Sequence, residues 1–422
     1  MTAVRVRFLG GVGVIGSTKL LIEEDGWRVL LDLGTDIPSS ADLLRYPALP
    51  RSDRSIADRL RLGVAPALDH LYRADVLEGT AVLGGADGRT AVFLSHAHID
   101  HVGLAGWVDP AIPVYASTDT VRVLDALAAA GAGLEGGQPP LHPLDDGEVV
   151  RFGPFEVTCV AVDHDVPGAS GFHVATADGA VAYTGDLRLH GRHPERSEAF
   201  AARVRGSRLL VTEGTMLAAQ FGAPFLSETD VDAAFDGVLR STPGLVVVSL
   251  YPRNTERVAA LLNLAEQAGR TVIWPVAMGR FLRAYGLDRI VTWDDGPGTG
   301  ALHAHPERFV VQLGLDEITR LLELPVGPGA LLVHSNGEPL GSFDPNWPLL
   351  EDWLTFLHLP MRSIGSPGHA TPHDLDRLVR LAAPQIVVPI HTNEPYRLQP
   401  PPGTARVLAE RGRVYTLEAL DG

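Results

Sequence analysis

Four residues able to bind a metal fall within six positions, His96-Ala97-His98-Ile99-Asp100-His101. Imidazole nitrogen and carboxylate oxygen are donors that zinc favours and manganese or iron accept, and a coordination position left open would hold a reactive water. A loop can wrap His-x-His-x-Asp-His around two ions, whereas a helix or strand would not make so many donors converge. The segment therefore predicts a binuclear hydrolytic centre carried on a loop. Two adjacent ions lower the pKa of a shared water toward neutrality and clamp the attacking and leaving oxygens of an ester. They need further ligands, and His164, Asp186 and His391 each follow an apolar run directly or within a residue or two. Asp186 is the natural bridging carboxylate. The single cysteine, Cys159, lies in the strand-like run Val157-Thr158-Cys159-Val160, where a buried thiol is expected, so any metal is left to His and carboxylates.

The elements that must position these side chains read as a layered α/β fold. Val4 to Leu9 alternates, Gly10 to Gly16 turns, and Lys19 to Ile22 and Arg28 to Asp32 follow around Asp25-Gly26, a pattern of antiparallel hairpins. Gly11-Val12-Gly13-Val14-Ile15-Gly16 has dinucleotide-fingerprint spacing, but that motif needs a helix after its glycines and a β-pattern follows instead. Pro38 to Gly88 is irregular, helical at Ile56 to Leu62, and reads as an insertion over the core. Ala91 to Ser95 is an apolar run ending at His96, and Val102 to Trp107 begins a helix, so the metal cluster falls in a strand-to-helix loop. Pro113 to Tyr115, Glu156 to Val162 and Ala180 to Thr184 have strand character. Beyond Glu213, strands at Gly244 to Leu250, Thr271 to Val276, Phe309 to Leu313 and Ala330 to His334 alternate with helical stretches such as Thr255 to Ala268, implying a parallel, Rossmann-like sheet. Helix Pro372 to Ala383, strand Ile386 to Ile390 and a strand near Arg413 to Leu417 follow.

At 422 residues, 45% hydrophobic and 20% charged, the composition is that of a globular protein with two domains or one core and an insertion. No run approaches the ~18 apolar residues of a membrane span and no basic-then-apolar leader opens the chain, so a soluble cytoplasmic protein is expected. The formal charge of -16 repels polyanions. Two divalent ions would still add about four positive charges where a phosphate would lie.

The cluster at 96–101, His164 in Asp163-His164-Asp165-Val166-Pro167 and Gly185-Asp186 resemble the metallo-β-lactamase superfamily in order and type. The resemblance implies a four-layer αββα sandwich, one metal on His96, His98 and His164, a second on Asp100, His101 and His391, and Asp186 bridging. Three later signatures are similar to those of the β-CASP branch: Glu213 in Val211-Thr212-Glu213-Gly214-Thr215, His369 in Ser366-Pro367-Gly368-His369, and His391 in Val388-Pro389-Ile390-His391. With Leu9-Gly10-Gly11-Val12-Gly13 and Ser335-Asn336-Gly337-Glu338-Pro339, they are most similar to ribonuclease J-like metallo-hydrolases. The implied architecture is a metallo-β-lactamase domain in two parts, 1–214 and 362–422, with a Rossmann-like β-CASP cap inserted at 215–361. In that branch the acidic residue orients the last metal-binding histidine and the middle histidine faces the scissile phosphate. Carried over, Glu213 orients His391, and His369 is a phosphate ligand or general acid, joining Asp100 and Asp186 in catalysis. In Pro252-Arg253-Asn254-Thr255-Glu256-Arg257 the polar side chains follow a cap strand, so Asn254 and Arg257, with Ser335 beside His334, are candidate substrate contacts. Two departures stand out: the chain stops soon after His391, without the C-terminal domain of ribonuclease J, and Ile390-His391-Thr392-Asn393 replaces that enzyme's common Val-His-Gly-Glu.

The expected function is a zinc-dependent phosphodiesterase, with manganese the other candidate ion, acting on RNA or single-stranded DNA as a monomer or homodimer. Two other readings use the same residues. One is a metallo-hydrolase of a small ester, lactone or nucleotide, which the acidic composition favours. The other is a catalytically silent RNA- or protein-binding homologue, which the intact ligand set disfavours.

Overall fold

The computed structural model describes residues 3–35, 43–44, 48–218 and 225–420. Two seven-stranded sheets lie face to face. The first has the order Val414–Thr416, Arg5–Phe8, Leu20–Glu24, Trp27–Leu31, Thr90–Leu94, Val114–Ser117, Leu141–Leu144. The second has the order Ala405–Arg406, Ile386–Ile390, Leu209–Glu213, Gly179–Tyr183, Ser170–Thr176, Phe155–Ala161, Val149–Phe152.

Period-two alternation sorts the side chains of these strands between layers. Val29, Leu31, Ala91 and Phe93 of the first sheet meet Val181, Leu209, Val211, Val388 and Ile390 of the second in one buried core. Their neighbours Leu30, Val92 and Leu94 point outward into a second core with helix Thr118–Ala129, and Leu210 and Val387 into a third with helices Pro194–Arg203 and Pro372–Ala382. That is the αββα sandwich. The hairpins at the N-terminus are antiparallel, with Phe8 opposite Leu20 and Leu20 opposite Leu31. The glycine run is followed by strand Leu20–Glu24 and not by a helix.

A third, six-stranded parallel sheet is inserted between Leu209–Glu213 and Ile386–Ile390, in the order Val291–Thr292, Thr271–Trp274, Phe309–Gln312, Val246–Leu250, Leu331–Ser335, Met361–Ser363. Its last strand reaches residue 363. Helix Val276–Tyr285 of this cap packs on Thr118–Ala129 of the sandwich, with the Arg122 guanidinium 4.4 Å from the Tyr285 ring centre.

Local differences from the sequence reading have physical causes. The strand expected to run to Val276 ends at Trp274, because Pro275 stands at the N-cap and starts a helix. The helix expected from Val102 starts earlier, as the single turn Ile99–Val102, with a separate turn at Ala105–Trp107. Of the segment 38–88, residues 38–42 and 45–47 lie outside the described residues; the rest includes helix Ser55–Arg61 and sends Ile56, Leu71, Tyr72 and Leu77 into the core shared with the cap. Among the described residues no helix is long and apolar enough to cross a membrane.

Candidate metal centre

The two sheets bring their strand ends to one edge, and the chemistry sits there. His96 follows Thr90–Leu94 by two residues, Asp186 follows Gly179–Tyr183 by three, and His391 directly follows Ile386–Ile390, whose register sets Ile390 beside Glu213. His96 and His98 lie on an extended loop, while Asp100 and His101 ride on the turn Ile99–Val102, so the cluster is part loop and part helix. Gly34 makes the close approach possible: a Cβ there would come within 1.6 Å of the Asp100 carbonyl oxygen. His391 has a left-handed backbone, φ 53°, of the strained kind that accumulates at functional sites.

Two donor groups converge: His96, His98, His164 and Asp186 in one, Asp100, His101, Asp186 and His391 in the other, each with atoms within 4.8 Å of one another. Asp186 Oδ2 stands between them, 3.1 Å from His101 Nε2, 3.6 Å from His391 Nε2 and 3.8 Å from His96 Nε2. His391 Nε2 is also 2.9 Å from Asp100 Oδ2.

Hydrogen bonding fixes most tautomers. His101 Nδ1 faces Asp32 Oδ2 at 2.7 Å and His164 Nδ1 faces the Gly368 carbonyl at 2.6 Å; both oxygens accept only, so each Nε2 is left for the cavity. Ser95 Oγ donates to Asp32 Oδ2 and accepts from His96 Nδ1 at 2.9 Å. Thr215 Oγ1 donates to the His391 carbonyl and accepts from His391 Nδ1 at 2.7 Å.

The donor set fits divalent cations. Nε2 of His96 and His101 and Oδ2 of Asp186 are buried with no hydrogen-bond partner among the described residues, a costly arrangement unless something coordinates them. Burial and the neighbouring His101 push His96 well below its usual 6.5, and burial, only partly opposed by Asp165, takes His98 down to about 3. His101 is the converse case: burial disfavours its charge, yet Asp186, Asp100 and Asp32 hold it well above 6.5.

Glu213 is displaced from its expected role. It is buried, its Oε1 accepts the Ala370 N–H at 2.9 Å and lies 3.5 Å from His369 Nδ1, and its Oε2 accepts the Thr215 N–H at 2.9 Å. It therefore supports His369, while Thr215 holds His391. Burial opposes a charge on His369, but Glu213 and then Asp186 raise its pKa to about 9. Its ring lies at the cleft, 3.7 Å from Asp186 and 24% exposed in its side chain.

The expected substrate contacts in the cap are structural. Arg257 is buried and spends its donors on Glu228, Asn336 and the Ser335 and Ser366 carbonyls. Asn254 caps helix Thr255–Gln267 through the Arg257 N–H, and Ser335 is fully buried beneath Arg257. His334 is likewise buried, bonded to the Gly337 and Pro339 carbonyls. Arg253, by contrast, reaches the metal loop and donates to the Ala97 carbonyl at 3.0 Å, and the Tyr251 ring meets His98 edge-on at 5.4 Å. Asp32, Thr215 and Tyr251 went unread in the sequence; for Asp32 the signal was a carboxylate directly after the apolar strand Trp27–Leu31.

The sequence profile of the Beta-lactamase superfamily domain matches residues 74–239, a stretch holding His96 to His101, His164, Asp186 and Glu213. Over that stretch the chain is similar to the metallo-β-lactamase superfamily. Across more of its length it is similar to ribonucleases J. It is 24% identical to ribonuclease J of Pyrococcus abyssi over 92% of this chain and 89% of that one, and 28% identical to ribonuclease J of Sinorhizobium meliloti over 71% of this chain and 57% of that one. The match to ribonuclease J of Corynebacterium glutamicum, 27% identical, spans 64% of this chain but 34% of that enzyme. A crystal structure of a protein of unknown function from Enterococcus faecalis V583 superposes with a TM-score of 0.84 at 28% identity, covering 98% of this chain and 100% of that one. The metallo-β-lactamase fold with an inserted β-CASP cap and a cluster suited to divalent metals makes the protein a metal-dependent hydrolase.

Proposed function

We propose that the protein is a two-metal phosphodiesterase that cleaves RNA. The observation that carries this is the sharing of Asp186 Oδ2 by both donor groups, with His369 3.7 Å away at the cleft. In this reading His96, His98 and His164 hold one ion, Asp100, His101 and His391 the other, and Asp186 both; zinc suits so imidazole-rich a set, with manganese second. When bound, the ions supply an activated water and neutralise phosphate charge. The chain's own residues do the rest. Glu213 fixes His369 and favours its charged form, so that the imidazolium can donate to a phosphate oxygen or the leaving oxygen. Tyr251 and Arg253 bring an aromatic face and a positive charge from the cap to the loop carrying His98.

The ribonuclease J relatives support RNA as the substrate. The charge of -16 supports a small ester instead, so substrate choice is the point to test. Purified protein should cleave labelled single-stranded RNA, and Asp186→Ala and His98→Ala should lose that cleavage. Hydrolysis of bis(p-nitrophenyl) phosphate with RNA and single-stranded DNA both left intact would replace this reading with the small-ester one.

A further inference from the structure

The outer nitrogens of the metal-site histidines follow one pattern with one exception. His96, His101, His164 and His391 each turn Nδ1 to an oxygen, of Ser95, Asp32, Gly368 and Thr215 respectively. His98 is turned the other way. Its Nδ1 lies 3.3 Å from His164 Nε2. Two imidazoles on one tetrahedral ion, with bonds of about 2.1 Å, place their nitrogens about 3.4 Å apart. The Nδ1 of His98 is thus the donor, and its Nε2 must carry the proton.

That N–H is buried and has no hydrogen-bond partner among the described residues. Facing it at 3.5 Å, the outer edge of hydrogen-bond range, is Oδ1 of Asp165, which is also buried and unpartnered. The carboxylate is held in place. Gly368 lies against it so closely that a Cβ would come within 2.6 Å of Oδ2, and His164 Nε2 is 3.3 Å from Oδ1. Asp165 stands outside the set His96, His98, His164 and Asp186 that converges within 4.8 Å.

We propose that Asp165 is a positioning residue of the first metal: it accepts the Nε2–H of His98, fixes Nδ1 toward the ion and raises the donor strength of that imidazole. The proposal rests on the metal-centre reading above.

The test is a zinc titration of metal-free wild type, Asp165→Ala and Asp165→Asn against a competing chelator, with the thermal midpoint of each metal-free protein recorded. Wild type should bind two ions. Asp165→Ala should weaken one of them by about 10–100-fold and leave the other within about threefold, as expected when an outer partner of a metal histidine is lost. Asp165→Asn, which keeps an acceptor oxygen, should fall between. The metal-free midpoints should stay close together, so that the affinity change belongs to the metal site and not to a loss of fold. Unchanged affinities in Asp165→Ala, equal weakening of both ions, or a lowered midpoint in the metal-free variant would each overturn the proposal. A wild type that binds no zinc would instead overturn the metal-centre reading on which it rests.

Discussion

Glu228 opens helix Glu228–Ser241 and is fully buried, 2.6 Å from Arg257 Nη2 and 2.9 Å from Arg188 Nη1, with Arg192 at 3.7 Å. Arg188 and Arg257 in turn donate to the Pro367 and Ser366 carbonyls, so this carboxylate ties the cap helix to the loop that carries His369. Burial alone would raise its pKa, but Arg257, Arg188 and Arg192 outweigh burial and take it from 4.5 to about 2. At 1.36 kcal/mol per tenfold, that difference is worth about 3 kcal/mol of folding stability. Breaking a buried ion pair from one side costs about 3–5 kcal/mol, which agrees. Glu228→Gln should therefore lose about 3 kcal/mol in urea unfolding of the metal-free protein at pH 7. Four of the six tryptophans, Trp274, Trp293, Trp347 and Trp353, lie in the segment that builds the third sheet, so fluorescence reports on the cap. The pH dependence has a definite sign. A depressed carboxylate pKa contributes stability that is complete above the unfolded value and disappears as pH falls through the folded one. The gap between wild type and variant should be full at pH 6 and shrink as pH drops below 4.5 toward 2. A loss under about 1 kcal/mol, or a gap independent of pH, would refute the reasoning.

Asp32→Asn removes the carboxylate on His101 Nδ1 and should weaken one zinc site by about 10–100-fold in a chelator competition. Thr215→Val should do the same through His391, whereas Glu213→Gln should leave zinc affinity nearly unchanged and lower kcat; weaker zinc binding in Glu213→Gln would return Glu213 to His391. Gly34→Ala drives a Cβ into the backbone at Asp100 and should cost about 3 kcal/mol or more in denaturant unfolding, a near-neutral result contradicting the close packing of that turn. Arg257→Ala should destabilise the metal-free fold by about 3–5 kcal/mol, and an unchanged midpoint with a raised KM for RNA would restore it as a substrate contact.

The candidate metal donors His96, His164, Asp186 and His391 were legible because each follows an apolar strand within three residues, and a strand end is a position that the local pattern marks. Ile386–Ile390 shows this best, an unbroken β-branched and apolar run whose next residue is His391. The cap sheet was legible for the same reason, down to Val246–Leu250 and Leu331–Ser335. Partnerships across long separations were not. Arg257 looks like a phosphate contact at its own position, and only the fold places Glu228 against its guanidinium and Ser335 beneath it. Thr215 and Glu213 are two residues apart, so the sequence could not say which of them faces His391 and which His369. Asp165 was in view beside His164, but its contact with His98 depends on two loops meeting.

The most direct test of the two-metal phosphodiesterase is cleavage of a labelled single-stranded RNA by metal-free protein titrated with zinc. Cleavage that is absent without metal, rises with added zinc and saturates at two ions per chain is the expected result. Protein that binds two ions and leaves RNA intact at every loading would contradict it.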